Sequence, residues 1–189
     1  MDTETAAGSV REALEQHGLL LLHDARLPSV TTIVAGAPVR GSWWGHPAGK
    51  RIYDVLGRVE AAWPKLLGGK VTLVHRRLWA ALAAVGEQDA PWQLDGLDDD
   101  TRAVLDRVRT AGELRSDELG RGAGPKVTAL ERRLLLVAEE VHTDDGHHAR
   151  VLRTWARWLP EVARPPASEA RWALEQAAGS LGARSRLPW

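Results

Sequence analysis

Residues 98–153 read DDDTRAVLDRVRTAGELRSDELGRGAGPKVTALERRLLLVAEEVHTDDGHHARVLR, and the order of elements in this stretch decides the fold. Asp98-Asp99-Asp100 places negative charge at the start of a helix running through Thr110, with Val104, Leu105 and Val108 apolar and Gly112 as its stop. Glu113-Leu114-Arg115 has room for one short strand or turn. Ser116-Asp117-Glu118-Leu119 begins with a capping residue and makes about one helical turn, and residues 120–124 are a glycine-rich break. Pro125 then opens a third helix. Val127, Leu130, Leu134 and Val137 recur there at the helical period and leave Lys126, Thr128, Ala129, Arg132 and Arg133 nearer the exposed side. Finally, residues 141–144 and 147–152 flank Asp145-Gly146, a dipeptide that favours the two-residue turn of a β-hairpin.

Helix, short strand, helix, helix, hairpin is the layout of a winged helix-turn-helix, in which the third helix enters the major groove and the wing touches the adjacent backbone. On this reading Lys126, Thr128, Arg132 and Arg133 face DNA from the helix, and His147, His148 and Arg150 face it from the wing. Winged helices also serve as protein-binding or structural modules, and pairing of Arg132 and Arg133 in buried contacts would favour that use.

Working outward toward the N-terminus, residues 4–17 are spaced as an amphipathic helix with Gly18 as its stop, and Leu19–Leu22 suits a buried strand. Pro28-Ser29 starts a short helix through Val34 that Gly36 closes. The loop from Gly36 to Gly49 carries Trp43-Trp44-Gly45-His46-Pro47, the chain's most unusual segment. Lys50 to Val59 reads as a helix, Lys70 to His75 alternates as a strand, and Arg76 to Val85 reads as a second helix behind it. The expected fold class is therefore α+β: an N-terminal mixed helix and strand region over 1–95, a winged helix over 98–158 packed with it, and a C-terminal arm over 160–189. Gly86 to Gly96 is the candidate linker.

Composition bounds the rest. The chain has 189 residues, 44% hydrophobic and 26% charged, with no apolar run of the roughly 18 residues a membrane span needs. There is no cysteine, which excludes disulfides and thiolate-ligated metals, and Met1-Asp2-Thr3-Glu4 lacks the basic start of a secretory signal, so a cytoplasmic protein is expected. The aromatics are nine Trp, one Tyr and no Phe, so most tryptophans are expected in the core.

The net charge is zero but unevenly spread, at −3 over 1–39, +6 over 40–80, −6 over 81–120, +2 over 121–158 and +1 over 159–189. The basic block, with Lys50, Arg51, Arg76 and Arg77 among its members, suits a phosphate backbone or the solvated faces of helices. Trp43 and Trp44 could stack on bases from that block, although filling an interface between the two halves is the preferred reading, because adjacent residues of extended chain point oppositely.

Residues 102–158, with AVLDRVRTAGELRSDEL, TALERRLLLVAEEVHT and a basic hairpin ending in RTWARWL, resemble the AlkZ-type (YcaQ-type) crosslink-repair DNA glycosylases, a bacterial family of tandem winged-helix units. RLPSVTTIVAG, SWWGHPAGKRIYDVL and GKVTLVHRRLWAAL look like a short branch related to it. The resemblance implies double-stranded DNA binding in repair, and at its furthest excision of an alkylated or crosslinked base by an activated water. The family's Gln-x-Gln pair is absent, since the glutamines are 16, 88, 93 and 176, so no catalytic residue is carried over. A glycosylase with a replacement carboxylate or histidine would need a buried polar group facing the DNA groove.

No cofactor is expected: Gly68-Gly69-Lys70 and the 120–124 glycines fail the phosphate-loop and dinucleotide patterns. His142, Asp144 and His147 would share one face of the hairpin and could hold a divalent ion, although a polar wing tip explains them as well and no metal is assigned. His46 and His75, with Asp54 or Glu60 as orienting carboxylates, are candidate bases, with packing or hydrogen bonding the favoured role. Ser42 lies outside any nucleophile elbow.

Overall fold

The computed structural model describes residues 1–142 and 148–189. Among these residues the protein is α+β, with nine α-helices and two small antiparallel sheets. It divides into two compact units: residues 1–79 with 172–187, and residues 80–171 with 188–189. None of the described helices is long and apolar enough to cross a membrane.

In the first unit, α1 (Thr3–His17) is set by its ends. The Asp2 carboxylate accepts the Thr5 amide at 2.9 Å, and Gly18, at φ 77°, returns its own amide to Leu14 O at 2.8 Å. α2 (Val30–Ala35) is capped in the same way by Ser29 and Gly36. β1 (Leu19–Leu21) pairs antiparallel with β2 (Thr72–Val74), in the register Leu19 to Val74 and Leu21 to Thr72. All six strand residues are buried, so the alternation expected for residues 70–75 gives way to a strand covered on both faces. α3 (Gly49–Leu56) turns Ile52 and Val55 inward. The expected helix over 76–85 begins as a 3-10 turn at Arg76–Leu78, which leads into α4 (Trp79–Gly86).

In the second unit, residues 86–96 are an ordered connection rather than a loose linker. α5 (Pro91–Leu94) occupies part of it, and the fully buried Gln93 ties it down: its Nε2 donates to Gly86 O at 3.2 Å and to Arg133 O at 3.1 Å, while its Oε1 accepts the Ala90 amide at 3.0 Å. α6 (Asp99–Ala111) is capped by Asp98, whose carboxylate accepts the Thr101 amide at 2.6 Å, and it ends at Gly112. β3 (Glu113–Arg115) leads into a 3-10 turn at Ser116–Leu119. Ser116 is not the cap of that turn. Glu118 takes the Arg115 amide, and the Ser116 hydroxyl accepts the Arg150 amide at 2.9 Å.

α7 (Ala123–Arg132) begins two residues before Pro125 and stops well before Val137. Leu134 turns left-handed at φ 55°, and its amide and that of Leu135 bond back to Glu131 O and Leu130 O, each at 3.0 Å. This is the paired closure in which glycine usually takes the left-handed position. Val137 instead opens β4 (Val137–His142), which pairs with β5 (His148–Arg153). β5 is the central strand of the order β3-β5-β4. The register sets His142 opposite His148, where a two-residue turn at Asp145-Gly146 would set it opposite Ala149; the turn itself lies outside the described residues. Leu97, Val104, Leu105, Val108, Val127, Leu130 and Leu152 close the core of this unit. α8 (Trp155–Trp158) and α9 (Ala167–Ser180) follow.

Of the nine tryptophans, only Trp43 and Trp155 are buried, five are half-buried, and Trp44 and Trp172 are exposed. The core is built chiefly of Leu, Val and Ala, which corrects the expectation of a tryptophan-rich interior.

Candidate nucleic-acid interface

The inward face of α7 carries Ala123, Val127, Leu130 and Glu131, so the remaining positions point away from the core. Arg132 is exposed and makes no ion pair or hydrogen bond among the described residues, and Thr128 is half-buried beside it on the helix. Lys126 is committed to an ion pair with the exposed Asp100 of α6, at 2.7 Å. Arg133 faces elsewhere: its Nη1 donates to the carbonyls of Trp92, Gln93 and Asp95 at 3.3, 3.0 and 2.7 Å, bracing α5 against the end of α7. Arg150 on β5 is held by Glu131 at 2.7 Å, both side chains being largely buried. A carboxylate and a guanidinium so placed depend on one another, because removing either leaves the other charged and poorly solvated. Sequence spacing brings these cations near one another, but the folded unit uses Arg133 and Arg150 internally.

His147 lies outside the described residues, and of His148 only the backbone is described. The same holds for the hairpin face of His142, Asp144 and His147, to which no metal was assigned and of which Asp144 and His147 fall outside; among the described residues no three His, Asp or Glu side chains gather as ligands. Arg121, which the sequence reading passed over as part of a flexible break, is exposed at the entry to α7 beside Gly120 and Gly122, and Arg157 is exposed on α8.

The second unit carries 13 Lys and Arg against 17 Asp and Glu, a net charge of −4, and the first carries 12 against 8, a net of +4. Within the first unit the basic candidates also separate by partner. Lys50, 88% exposed, pairs with Asp54 one turn on at 2.8 Å, Arg51 is half-buried and Arg76 is exposed. Arg77 reaches the last carbonyls of α1, those of Glu15 and Gln16, where a cation meets the negative end of the helix.

His46 and His75 serve as local braces. His46 Nδ1 accepts the Ala48 amide at 3.1 Å, and His75 Nδ1 accepts the Arg77 amide at 3.4 Å. Burial, followed by the Arg77 charge, pushes the His75 imidazole below its ordinary value. Asp54, proposed as an orienting carboxylate, is taken by Lys50. The one deeply buried carboxylate of the first unit is Asp24, 4% exposed, which accepts Lys70 Nζ at 2.9 Å, Arg186 Nη1 at 2.8 Å and the amides of Arg26 and Leu27. Burial alone would raise its affinity for a proton, but the two cations and two amides outweigh that and hold the carboxyl far below the usual carboxylate range. So saturated an anion is a structural clamp and a poor proton acceptor.

Trp43 and Trp44 do not share one environment. Trp43 is 8% exposed, and Trp44, stacked on it with centroids 4.1 Å apart and planes at 23°, is 66% exposed. The preferred expectation that both fill an interface is corrected for Trp44, whose indole faces solvent next to Tyr53 at 6.0 Å. Compared with known proteins, the chain matches no family model, no curated protein and no solved structure.

Proposed function

We propose that residues 98–158 are a winged-helix unit and that the protein binds double-stranded DNA through it. The supporting observation is the connectivity: α6, β3, one helical turn, α7 and the β4–β5 hairpin, with β5 between β3 and β4. In that layout α7 lies in the major groove. The contact set is narrower than the sequence suggests. Thr128 and Arg132 face the groove, Arg121 meets phosphate at the entry to α7, and Lys126 joins by exchanging Asp100 for a phosphate. The likeness of residues 102–158 to the crosslink-repair glycosylases supports a setting in DNA repair, with no catalytic role assigned.

A second reading, a winged helix used for protein contact, is favoured by one specific observation: Arg133 is consumed by three carbonyls in a unit of net charge −4. Fluorescence anisotropy on plain duplex DNA across a salt series separates the two. Each phosphate contact contributes about 0.9 to the slope of log affinity against log salt, so Arg121→Ala with Lys126→Ala, which removes two such contacts, will flatten the slope by about 2. Failure to bind duplex at low salt, or a slope that the double substitution leaves unchanged, overturns DNA binding by this surface and leaves the protein-contact reading.

A further inference from the structure

Large aromatic side chains are seldom left in water without a use, and two stand together on the first unit: Trp44, 66% exposed, and Tyr53, 53% exposed, with ring centroids 6.0 Å apart. The arrangement is built rather than loose. The His46 amide bonds to Trp43 O at 3.1 Å, the Gly49 amide to His46 O at 2.7 Å and the Ala48 amide to His46 Nδ1 at 3.1 Å, fixing the Trp-Trp-Gly-His turn onto the start of α3. Gly49 seals the junction, because a Cβ there would stand 2.9 Å from Trp44 O and 3.0 Å from Trp43 O. One face of the Trp44 indole lies on Trp43, which is itself buried, so most of the exposed area belongs to the opposite face and the edges.

Charge indicates what would occupy that face. Lys50 is three residues before Tyr53 on α3 and so lies on the same side of the helix, 88% exposed. Arg40 is exposed on the approach to Trp44, within about 14 Å of extended chain. The unit that carries these side chains has a net charge of +4. An aromatic face flanked by cations matches a nucleobase with its neighbouring phosphates, because every base has a π-face and stacking needs no sequence code. An apolar protein partner would use the rings and leave Arg40 without a counterpart, whereas a nucleotide also lets Lys50 exchange Asp54 for a phosphate.

We propose that Trp44 and Tyr53 form a stacking platform for an unpaired nucleobase of DNA, with Arg40 and Lys50 meeting the phosphates beside it. The proposal rests on the reading of the protein as DNA-binding and adds a preference for an extrahelical or single-stranded base over intact duplex. A pre-formed platform loses little conformational freedom on binding.

The test is anisotropy of the full chain with three labelled probes: a plain duplex, the same duplex carrying a one-base bulge, and oligo-dT. Stacking of one base gives the bulge an advantage of about 5- to 150-fold over the plain duplex. Trp44→Ala removes that advantage and leaves plain-duplex affinity unchanged, and Trp44→Phe restores part of it. Because Trp44 is exposed, its truncation leaves the melting temperature in place, whereas Trp43→Ala lowers it by removing a buried indole. Equal affinity for bulged and plain duplex in the unaltered protein, or a Trp44→Ala loss shared equally by all probes, overturns the platform while leaving duplex binding intact. Tight oligo-dT binding that depends on Trp44, with no affinity for plain duplex, supports the platform and overturns the duplex reading. Absence of binding to every probe overturns both.

Discussion

Replacing Gly86 by alanine will destabilise the second unit by about 2–6 kcal/mol, and the magnitude follows from the contact it creates. A Cβ at Gly86 would stand 2.1 Å from Trp155 Nε1, 2.3 Å from Cδ1 and 2.6 Å from Cε2. Ordinary contact needs roughly 3.5 Å, so the indole or the end of α4 must retreat by roughly 1.4 Å. Trp155 is 2% exposed, and its Nε1 donates to Leu134 O at 2.5 Å, the carbonyl of the left-handed residue that closes α7. Overpacking of this kind costs about 1–3 kcal/mol, and a retreat that breaks the indole hydrogen bond leaves a buried donor and acceptor worth about 1–3 kcal/mol more. At about 2–4 °C per kcal/mol for a chain of this size, thermal unfolding followed by tryptophan fluorescence will show a fall of about 4–24 °C. Gly8→Ala is the internal control. It lies within α1 with nothing inside 4 Å of an added Cβ, and it gains about 0.5–1 kcal/mol. A Gly86→Ala protein that melts within about 2 °C of the unaltered one would refute the claim that close approach of Trp155 requires glycine there.

Gln93→Leu keeps the volume but strips partners from the Gly86 and Arg133 carbonyls and the Ala90 amide; it will cost about 2–4 kcal/mol in urea unfolding, and an unchanged midpoint would count against Gln93 as the tie of residues 86–96. Asp24 has its carboxyl depressed in the folded state, so its contribution is fully present above the unfolded value near 4 and is lost as pH falls below it. Asp24→Asn will therefore lower the urea midpoint at neutral pH, and the gap from the unaltered protein will narrow on acidification; a gap constant across that range would refute the clamp.

Much of the fold was legible because its helix ends are written in local chemistry. Gly18, Ser29 and Gly36, and Asp98 and Gly112 mark termini by side-chain acceptors and glycines of positive φ, and each reading matches the observed cap, whereas the Asp2 cap of α1 went unread. The end of α7 was not legible. Leu134 and Val137 continue the apolar period of Val127 and Leu130, while the residue that turns left-handed is a leucine, stabilised by its buried side chain and by the Trp155 indole on its carbonyl. That support comes from 21 residues away and leaves no local mark. Strand burial failed to show for a similar reason, since β2 is covered on both faces by elements that a six-residue window does not contain. In the candidate interface, spacing placed Arg132 and Arg133 side by side, but spacing says nothing about the carbonyls of residues 92–95 that claim Arg133 or about Glu131, which claims Arg150. The exposure of Trp44 was open to reasoning only as one of two alternatives, and the turn built on His46 and Gly49 decides it.

The first unit is assembled from two stretches of chain separated by the whole of residues 80–171. Its final stretch supplies Arg186, whose guanidinium meets Asp24 and whose carbonyl takes the Gly68 amide at 2.7 Å, and Ala177, which packs beside Gly18. A ribosome adding about 5–20 residues per second delivers that stretch roughly 5–20 s after residue 79. Through that interval Asp24 has Lys70 but lacks its second cation, while all of the second unit except residues 188–189 is being made. The part begun first thus stays open until residues 172–187 follow, and residues 188–189 complete the second unit just after it.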